Sequence, residues 1–510
     1  MMVGMSTAPR PGIAERGSRG LRPRAWSLRK LTVLGAGGST LLALSSDLPG
    51  SPYGPDAAGL WPLAASGPAP SWEGPKVPSW ANVADQALGV GRGHLVVVLA
   101  AVVGLLLLGL AWIVLWQKAR IDPSVGSRET LWVVGAWLAP LLFAAPFASQ
   151  DIWLYGAQGK MVLAGLGGYR PVSLLGHSVW TLGVDPRWMS HPSLYGPGAL
   201  ELSALFVKVA GDRPWVAAEC WRVTAAAGIV LCAWGVRRIV SLRGGNALAA
   251  TVAGVANPAV LLVLVGGVHN DALMLGLAVA GVALAVSSRG LWGLVLGALG
   301  VAVKPPALLV VGAVCWWAWG RGLRARAKGV LVGAISVFAV LVVTGAGVGG
   351  GFGWLKALSS YGSIPGSFSL GARFLDVKSG PLVDAIEVAG VALAVLLVIA
   401  ARAPGRWIAA TGWGLALLAV TTAKPEPWYL AWAIMLLACG GLHRRSEVLG
   451  VLVLAAMMAG SAVALGVFWW FAGVILLSWL AITSLLFRPP IGPNPHLQEA
   501  NEALAKGDKT

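Results

Sequence analysis

Charged residues are scarce in this chain of 510 residues. Only 12% of the positions are charged and 57% are hydrophobic, whereas a water-soluble domain has about 25% charged and about 45–50% apolar residues. This composition excludes an ordinary soluble enzyme. Apolar runs such as residues 95–116 and 467–487 approach the roughly 20 residues that an α-helix needs to cross the hydrocarbon core of a membrane. The sequence therefore predicts an all-α, polytopic membrane protein.

Cysteine and the familiar catalytic motifs are also rare. The sequence has no HExxH, no Walker A, no Ser-His-Asp signature in an elbow context and no Asp-x-Asp pair for the metal of a nucleotide sugar. No metal site is predicted and no cofactor is assigned, and the sequence leaves dependence on a divalent metal open. The cysteines fall in apolar segments, where they behave as small apolar residues rather than as disulfide partners: Cys220, Cys232, Cys315 and Cys439.

Apolar windows bounded by charges, Gly and Pro are the candidate membrane spans. The first window follows an Arg-rich start, so it also fits the apolar core of a signal peptide. We predict about 14 spans, at residues 31–46, 95–116, 130–148, 215–236, 247–266, 271–287, 289–303, 306–320, 329–345, 381–401, 407–423, 428–442, 447–465 and 467–487.

The basic residues are distributed unevenly between the two sides of these windows. With the N-terminus inside, 25 of the 38 Lys and Arg residues fall in inner segments and 12 in outer ones. Because Lys and Arg in short loops favour the cytoplasmic side, we expect both termini to be cytoplasmic and the protein to lie in the plasma membrane. The net charge of +17 does not indicate a nucleic-acid partner, since the cations are scattered and not gathered on one face.

The same count of Lys and Arg residues decides whether one ambiguous apolar stretch, residues 195–210, is a membrane span. Treating it as a span would move Arg237, Arg238 and Arg243 to the outer side, so we predict a helix that lies on the outer surface. The resulting division of the chain is a disordered cytoplasmic tail over 1–27, a membrane domain over 28–487 with long outer segments at 149–214 and 346–380, and a second disordered cytoplasmic tail over 488–510.

The first polar cluster opens the outer segment that follows the third predicted span. Asp151, Tyr155 and Gln158 stand at i, i+4 and i+7, so a helix would place all three on one face. A polar face beside a membrane is costly and points to function. The alternative is that Asp151 only complements the dipole at the N-terminus of a helix.

The second cluster is His269-Asn270-Asp271, at an outer turn between two predicted spans. Three consecutive polar residues at membrane depth are costly unless they have partners, and such groups are functional hypotheses by default. The alternative is an Asx-type cap that opens the next helix.

Cations near the outer helix ends form the third group. Lys304 precedes Pro305-Pro306, Lys424 precedes Pro425, and Arg373 lies in the outer segment 346–380. Any one of them could simply extend to the interface, as Lys and Arg often do. These cations gather on the outer side, although most Lys and Arg residues of the chain lie on the cytoplasmic side. This placement favours an anionic ligand.

Taken together, these motifs resemble the actinobacterial polyprenol-phosphate-mannose-dependent α-1,6-mannosyltransferases of the GT-C glycosyltransferase superfamily, over about residues 28–487. Two positions depart from the family pattern, because Trp153 replaces a common Tyr and Gly168 replaces a Pro. The matching positions are Asp151, Tyr155, Ala157-Gln158-Gly159, Gly165 to Tyr169, Tyr195-Gly196-Pro197, His269-Asn270-Asp271, Lys304 and Pro427-Trp428-Tyr429-Leu430.

The resemblance implies a GT-C-like membrane domain with an active site on the outer face, a polyprenyl-phosphate-mannose donor and a mannan or lipoglycan acceptor. It also implies that Asp151 is the catalytic base, with Asp271 as the reserve candidate. One base suffices because the phosphate is already a good leaving group, and in-line displacement then inverts the anomeric centre. The expected donor-binding residues are His269, Asn270, Lys304, Arg373, Lys424, Tyr155, Gln158, Tyr195, Trp428 and Tyr429.

Two other functions stay open at this stage. A related GT-C enzyme could use a different polyprenyl-phosphate sugar, such as arabinose. A lipid-linked-sugar flippase or a transporter would also need many spans, but transporters place their charges near the bilayer midplane, whereas the clusters here lie at outer helix ends.

Overall fold

The computed structural model describes residues 26–47, 95–122, 124–147, 149–320, 322–361, 381–401, 405–422 and 426–441. Within these ranges the chain is helical and contains no β-strand. The predicted spans at 447–465 and 467–487 and most of both predicted tails lie outside the described residues.

Seventeen α-helices follow one another along the described residues. Three 3₁₀ turns at Ala139–Leu142, Val172–Leu175 and Pro427–Leu430 and a π-helical turn at Leu261–Gly266 separate some of them. The helices are α1 Leu28–Asp47, α2 Leu95–Ile121, α3 Ser127–Leu138, α4 Asp151–Leu163, α5 Pro186–Met189, α6 Pro197–Ala210, α7 Pro214–Leu242, α8 Ala247–Gly254, α9 Pro258–Val260, α10 Asp271–Val286, α11 Gly290–Val303, α12 Ala307–Trp317, α13 Leu323–Gly345, α14 Gly353–Tyr361, α15 Pro381–Ile399, α16 Arg406–Thr421 and α17 Ala431–Cys439.

Four of the described helices, α2, α7, α13 and α15, are long and apolar enough to cross a membrane. A fifth span is obtained if α8 and the segment Pro258–Gly266, which meet at an angle of 48°, count as one bent helix. Several other predicted spans correspond to shorter apolar helices, including α10, α11 and α12. The all-helical, apolar architecture fits the predicted polytopic membrane protein at this coarser level.

The predicted span at 130–148 is not one continuous helix. Helix α3 ends at Leu138 and passes into the 3₁₀ turn Ala139–Leu142, because Pro140 has no N–H to donate to a helical ladder. The chain then runs without helix to Phe147, whose N–H donates to the Gly266 carbonyl at 2.9 Å. This break brings the segment before α4 against the π-helical turn.

Two close contacts fix the helices around that break. Helices α7 and α10 cross at Gly228 and Gly276, where a Cβ atom on Gly228 would lie 2.3 Å from the Ala272 carbonyl oxygen. Small residues allow such close approach of two backbones in a membrane. Arg222 of α7 is buried, donates to the Leu142 carbonyl at 3.0 Å and pairs with Glu219 at 3.2 Å. The start of α10 and the end of the 3₁₀ turn are therefore both held on α7.

Candidate active site

Helix α4 begins at Asp151. The Asp151 backbone N–H donates to Ser149 Oγ at 3.2 Å, and the helical course confirms that Asp151, Tyr155 and Gln158 share one face. Tyr155 and Gln158 are buried, whereas the Asp151 side chain is 16% exposed. The carboxylate of Asp151 is thus the accessible end of an otherwise buried polar face.

The turn between the π-helical segment and α10 carries His269, Asn270 and Asp271, and all three are buried. Asn270 occupies the N-cap position of α10, but its side chain makes no capping hydrogen bond. Neither atom of its amide group has a hydrogen-bond partner in the described part of the chain. Helix capping therefore does not account for Asn270, and a buried amide without partners is typical of a site that a ligand completes.

Lys304 does not extend to an interface, since it is only 7% exposed. Its Nζ atom donates to both oxygens of Asp271, at 2.9 and 2.8 Å, and Trp432 Nε1 donates to Asp271 Oδ1 as well. Asp271 is fully buried, and these three hydrogen bonds satisfy it. Charge-assisted bonds of this kind are the strong ones, so Asp271 and Lys304 form a neutralised, buried ion pair.

Aromatic rings surround the ammonium group of this pair. Lys304 Nζ lies 5.5 Å from the ring centroid of Tyr195, 4.8 Å from that of Tyr429 and 5.6 Å from that of Trp432, distances at which a cation is attracted to a ring face. Tyr429 stacks on Trp432 at 4.4 Å, and Tyr195 meets Tyr155 edge to face at 5.0 Å. The rings link the Asp271–Lys304 pair to the polar face of α4.

The position of Tyr195 depends on the glycine that follows it. The Gly196 N–H donates to the Val303 carbonyl at 3.0 Å, and a Cβ atom at Gly196 would lie only 2.3 Å from the Ala302 carbonyl oxygen. Only glycine allows the chain to pass this close to the end of α11. Tyr195 is thereby held beside Lys304, which follows α11 directly.

His269 lies between the two carboxylates. Its Nδ1 atom is 3.6 Å from Asp151 Oδ2 and 4.0 Å from Asp271 Oδ2, and its ring faces Trp428 with centroids 4.6 Å apart. Burial lowers the pKa of the His269 imidazole below its ordinary 6.5, although the negative charges of the two carboxylates act to raise this pKa. Burial therefore favours the neutral form of this imidazole.

Most of the residues that the sequence analysis selected come together in this cluster. Arg373 and Lys424 lie outside the described residues, so the structure gives no position for either. The members of the cluster are Asp151, Tyr155, Tyr195, His269, Asp271, Lys304, Trp428 and Tyr429, with Gln158 on the buried face of α4 and Asn270 beside His269.

Two further residues belong to this region. Trp432, which binds Asp271, stands three residues after Tyr429 and four after Trp428, so helical spacing from the aromatic pair was the available signal. Arg187 of α5 has an exposed side chain that pairs with Asp185. The hydrogen bonds from Arg187 to Asp185 raise the pKa of the guanidinium group, and the charges of Glu426 and Asp151 raise it further. Arg187 is thus a cation on the same side as Asp151.

The cluster contains the groups that a nucleophilic displacement on an anionic substrate requires. It combines an accessible carboxylate, a buried ammonium group and several aromatic rings that can stack on a sugar. No group of three or more His, Cys, Asp or Glu residues suited to a metal ion occurs in the ranges that the structure covers. An all-helical membrane protein with such a site has the features of a membrane-embedded glycosyltransferase.

Comparison with known proteins identifies the family. The family model described as "Alpha-(1->6)-mannopyranosyltransferase, N-terminal domain" matches residues 57–321. A probable alpha-(1->6)-mannopyranosyltransferase of Mycolicibacterium smegmatis is 32% identical over 387 residues, which cover 66% of this chain and 69% of the relative. Alpha-(1->6)-mannopyranosyltransferase A of Mycobacterium tuberculosis is 29% identical over 375 residues, 68% of this chain and 71% of the relative.

A third relative, alpha-(1->6)-mannopyranosyltransferase B of Corynebacterium glutamicum, is 27% identical over 388 residues, 66% of this chain and 64% of the relative. The chain belongs to the alpha-(1->6)-mannopyranosyltransferase family, as the sequence motifs predicted. No solved structure shows significant similarity to it.

Proposed function

We propose that this protein transfers mannose from a polyprenyl-phosphate-mannose donor to an α-1,6-mannan acceptor of the lipomannan type. The observation that carries the proposal is the convergence of four polar residues from three distant parts of the chain, Asp151, the turn with His269 and Asp271, and Lys304. The family names of the relatives support the sugar and the linkage. The many apolar helices support a substrate that stays in the membrane.

Asp151 is the proposed catalytic base. Asp271 is fully buried and already accepts three hydrogen bonds, so it cannot readily take a proton from an acceptor. Asp151 is partly exposed, and its carboxylate lies 3.6 Å from His269 Nδ1. A base must lie within reach of the proton that it removes, and of the two carboxylates only Asp151 meets this condition.

The proposed reaction is a single in-line displacement. The acceptor hydroxyl gives its proton to Asp151 while its oxygen forms a bond to the anomeric carbon of mannose, and the bond from that carbon to the phosphate oxygen breaks. The phosphate leaves with the electron pair and needs no acid, unlike a glycoside, whose hydrolysis normally uses two carboxyl groups. Attack from the opposite side inverts the anomeric centre, so a β-linked mannosyl phosphate yields an α-mannoside.

Lys304 is proposed to offset the charge that grows on the phosphate, together with Arg373 and Lys424. An ammonium group has three N–H donors, and the two oxygens of Asp271 account for two of them. One donor is left for a phosphate oxygen. Fixed donors that face developing charge in a site shielded from water are the usual source of transition-state stabilisation.

The proposed setting is a GT-C-like membrane domain of about 14 spans with both termini in the cytoplasm. The distribution of Lys and Arg supports this orientation, and it would place α4, α5 and the cluster on the outer face of the plasma membrane. A lipid-linked donor suits that location, because nucleotide sugars are absent outside the cell whereas a polyprenyl phosphate is held in the bilayer.

The test uses membranes that contain the wild-type protein or Asp151→Asn, incubated with radiolabelled polyprenyl-phosphate-mannose and a short α-1,6-mannoside. We expect the substitution to lower transfer by about 10³-fold, in the range for loss of a general base. Asp212→Asn, at an exposed position between α6 and α7, is the matched control and should transfer at the wild-type rate. Transfer that persists in Asp151→Asn at equal expression would remove Asp151 from the role of base.

The same assay separates the alternative functions. A parallel incubation with labelled polyprenyl-phosphate-arabinose would reveal a different donor sugar. Movement of label across sealed vesicles without any new glycoside would indicate transport instead of transfer.

A further inference from the structure

The imidazole of His269 faces two carboxylates that belong to different helices. Its Nδ1 atom lies 3.6 Å from Asp151 of α4 and 4.0 Å from Asp271 of α10. Both distances exceed the upper limit of about 3.2 Å for an N–H···O hydrogen bond. Neither ring nitrogen has a hydrogen-bond partner among the described residues, although the ring is fully buried. A buried polar group without a hydrogen-bond partner indicates a hydrogen bond that closes when substrate binds.

The charged groups around His269 indicate that its role differs from that of Asp271 and Lys304. The charged groups that face the imidazole are Asp151 from α4, Asp271 from α10 and Lys304 after α11, and Trp428 covers one face of the ring. Lys304 already neutralises Asp271. Among the described residues no Lys or Arg forms an ion pair with Asp151, because Arg187, on the same side, pairs with Asp185, and the group recorded within 4.0 Å of the Asp151 carboxylate is the imidazole.

We infer that His269 is a positioning residue: its neutral imidazole carries its proton on Nδ1, and this N–H donates to Asp151 and fixes the carboxylate beside the buried Asp271–Lys304 pair. The inference rests on the proposed role of Asp151 as base. A neutral donor orients one carboxylate oxygen without cancelling the negative charge, so the second oxygen is free to accept the proton of the acceptor hydroxyl. His269 then acts through Asp151 and does not bind the donor directly, although the family resemblance had placed it among the donor-binding residues.

The first test needs no enzymatic activity. The protein contains six histidines, and ¹⁵N-histidine labelling resolves their protonation by NMR, with the His269 signal assigned by its loss in His269→Asn. We expect a neutral ring protonated at Nδ1, whose signal moves in Asp151→Asn and stays in place in Asp212→Asn. A charged ring at pH 7, a proton on Nε2, or a signal unmoved by Asp151→Asn would overturn the inference.

The second test compares three substitutions in the mannosyl-transfer assay. Asn places an amide nitrogen close to the position of Nδ1, Gln places one near Nε2, and Ala supplies neither. We expect His269→Ala and His269→Gln to lower kcat by about 10²-fold, the scale for a misplaced catalytic group, and His269→Asn to restore most of it. His177→Ala, at an exposed position in the proposed outer segment, is the control.

The pH profile distinguishes positioning from a purely structural role. Because this hydrogen bond closes when substrate binds, its loss should appear in kcat, which reports the ionisations of the enzyme–substrate complex. A hydrogen bond to the charged form of a carboxylate favours that form, so loss of the donor should move the acidic limb of the kcat profile to higher pH by about one unit in His269→Ala and leave it in place in His269→Asn. Equal losses in all three variants with an unmoved limb would refute the inference. Failure of the proposed function looks different, since wild-type protein would then form no mannoside while the NMR result still decides the state of His269.

Discussion

At the scale of single residues, the two carboxylates of the cluster have unequal surroundings. Asp271 is fully buried and receives hydrogen bonds from Lys304 and Trp432, whereas Asp151 is partly exposed and stands 3.6 Å from His269. Two acids of the same type can thus serve different purposes, because burial and partners decide which of them a substrate can reach. In the proposed reaction Asp271 stabilises the site, and Asp151 is the carboxylate that the acceptor can reach.

The buried Asp271–Lys304 pair leads to a prediction about stability. Removing one member of a buried ion pair leaves an uncompensated charge and costs about 3–5 kcal/mol, whereas removing both charges is often close to neutral. We therefore expect Lys304→Met to lower the free energy of unfolding of the detergent-purified protein by about that amount, and the double variant Asp271→Asn/Lys304→Met to recover most of the loss. Thermal unfolding of the four proteins as a double-mutant cycle measures the coupling.

In that cycle Asn at position 271 still offers an oxygen to Trp432 Nε1, so the double variant removes the charges with little other change. If the two single losses simply add in the double variant, the pair contributes no coupling and the site is not held by it.

At the scale of helices, the contact of α7 with α10 sets the position of the cluster. Gly228 and Gly276 let the two backbones touch, and α10 begins with Asp271, directly after His269 and Asn270. Arg222 of the same α7 donates a hydrogen bond to the carbonyl of Leu142, nine positions before Asp151. One long helix therefore supports both segments that carry the carboxylates.

This arrangement predicts that Gly228→Ala reduces both stability and mannosyl transfer. The added Cβ atom would lie 2.3 Å from the Ala272 carbonyl oxygen, so α10 must move, at a cost of about 1–3 kcal/mol for overpacking. Gly312→Ala in α12 is the matched control, because nothing lies within 4 Å of its added Cβ atom. Measuring unfolding temperature and transfer for both variants checks the prediction, and equal behaviour of the two would show that α7 and α10 do not need their close contact.

Local helical structure near the site could be predicted from the sequence. The spacing of Asp151, Tyr155 and Gln158 predicted α4, which begins at Asp151. The apolar stretch 195–210 predicted the helix now seen as α6, and its place on the outer surface stays a prediction. The break of the predicted span 130–148 was missed, although Pro140 within that window was the signal. Proline interrupts a helix wherever the missing donor is needed.

At the scale of the whole molecule, the contacts that make the site join residues far apart in the sequence. His269 and Asp151 are 118 positions apart, and Trp432 and Asp271 are 161 positions apart. Composition and periodicity predict helices but not which helix ends meet, so the pairing of Asp271 with Lys304 could not be derived from them. The family resemblance could say only that these residues belong to one motif set.

The orientation of the molecule gives a prediction that is independent of catalysis. In a variant without the native cysteines, Ser173→Cys should react with a membrane-impermeant maleimide added to intact cells, because residue 173 is exposed in the proposed outer segment. Ser124→Cys, exposed after α2, should react only after permeabilisation, since its neighbours are basic and predicted to be cytoplasmic. The reverse pattern of labelling would invert the membrane orientation and place Asp151 on the cytoplasmic side.

The most direct test of the central claim compares Asp151→Asn with Asp271→Asn for both mannosyl transfer and unfolding temperature. If Asp151 is the base, Asp151→Asn loses about 10³-fold in transfer while its unfolding temperature stays near that of the wild type, and Asp271→Asn loses stability together with activity. Wild-type transfer by a folded Asp151→Asn protein would contradict the claim.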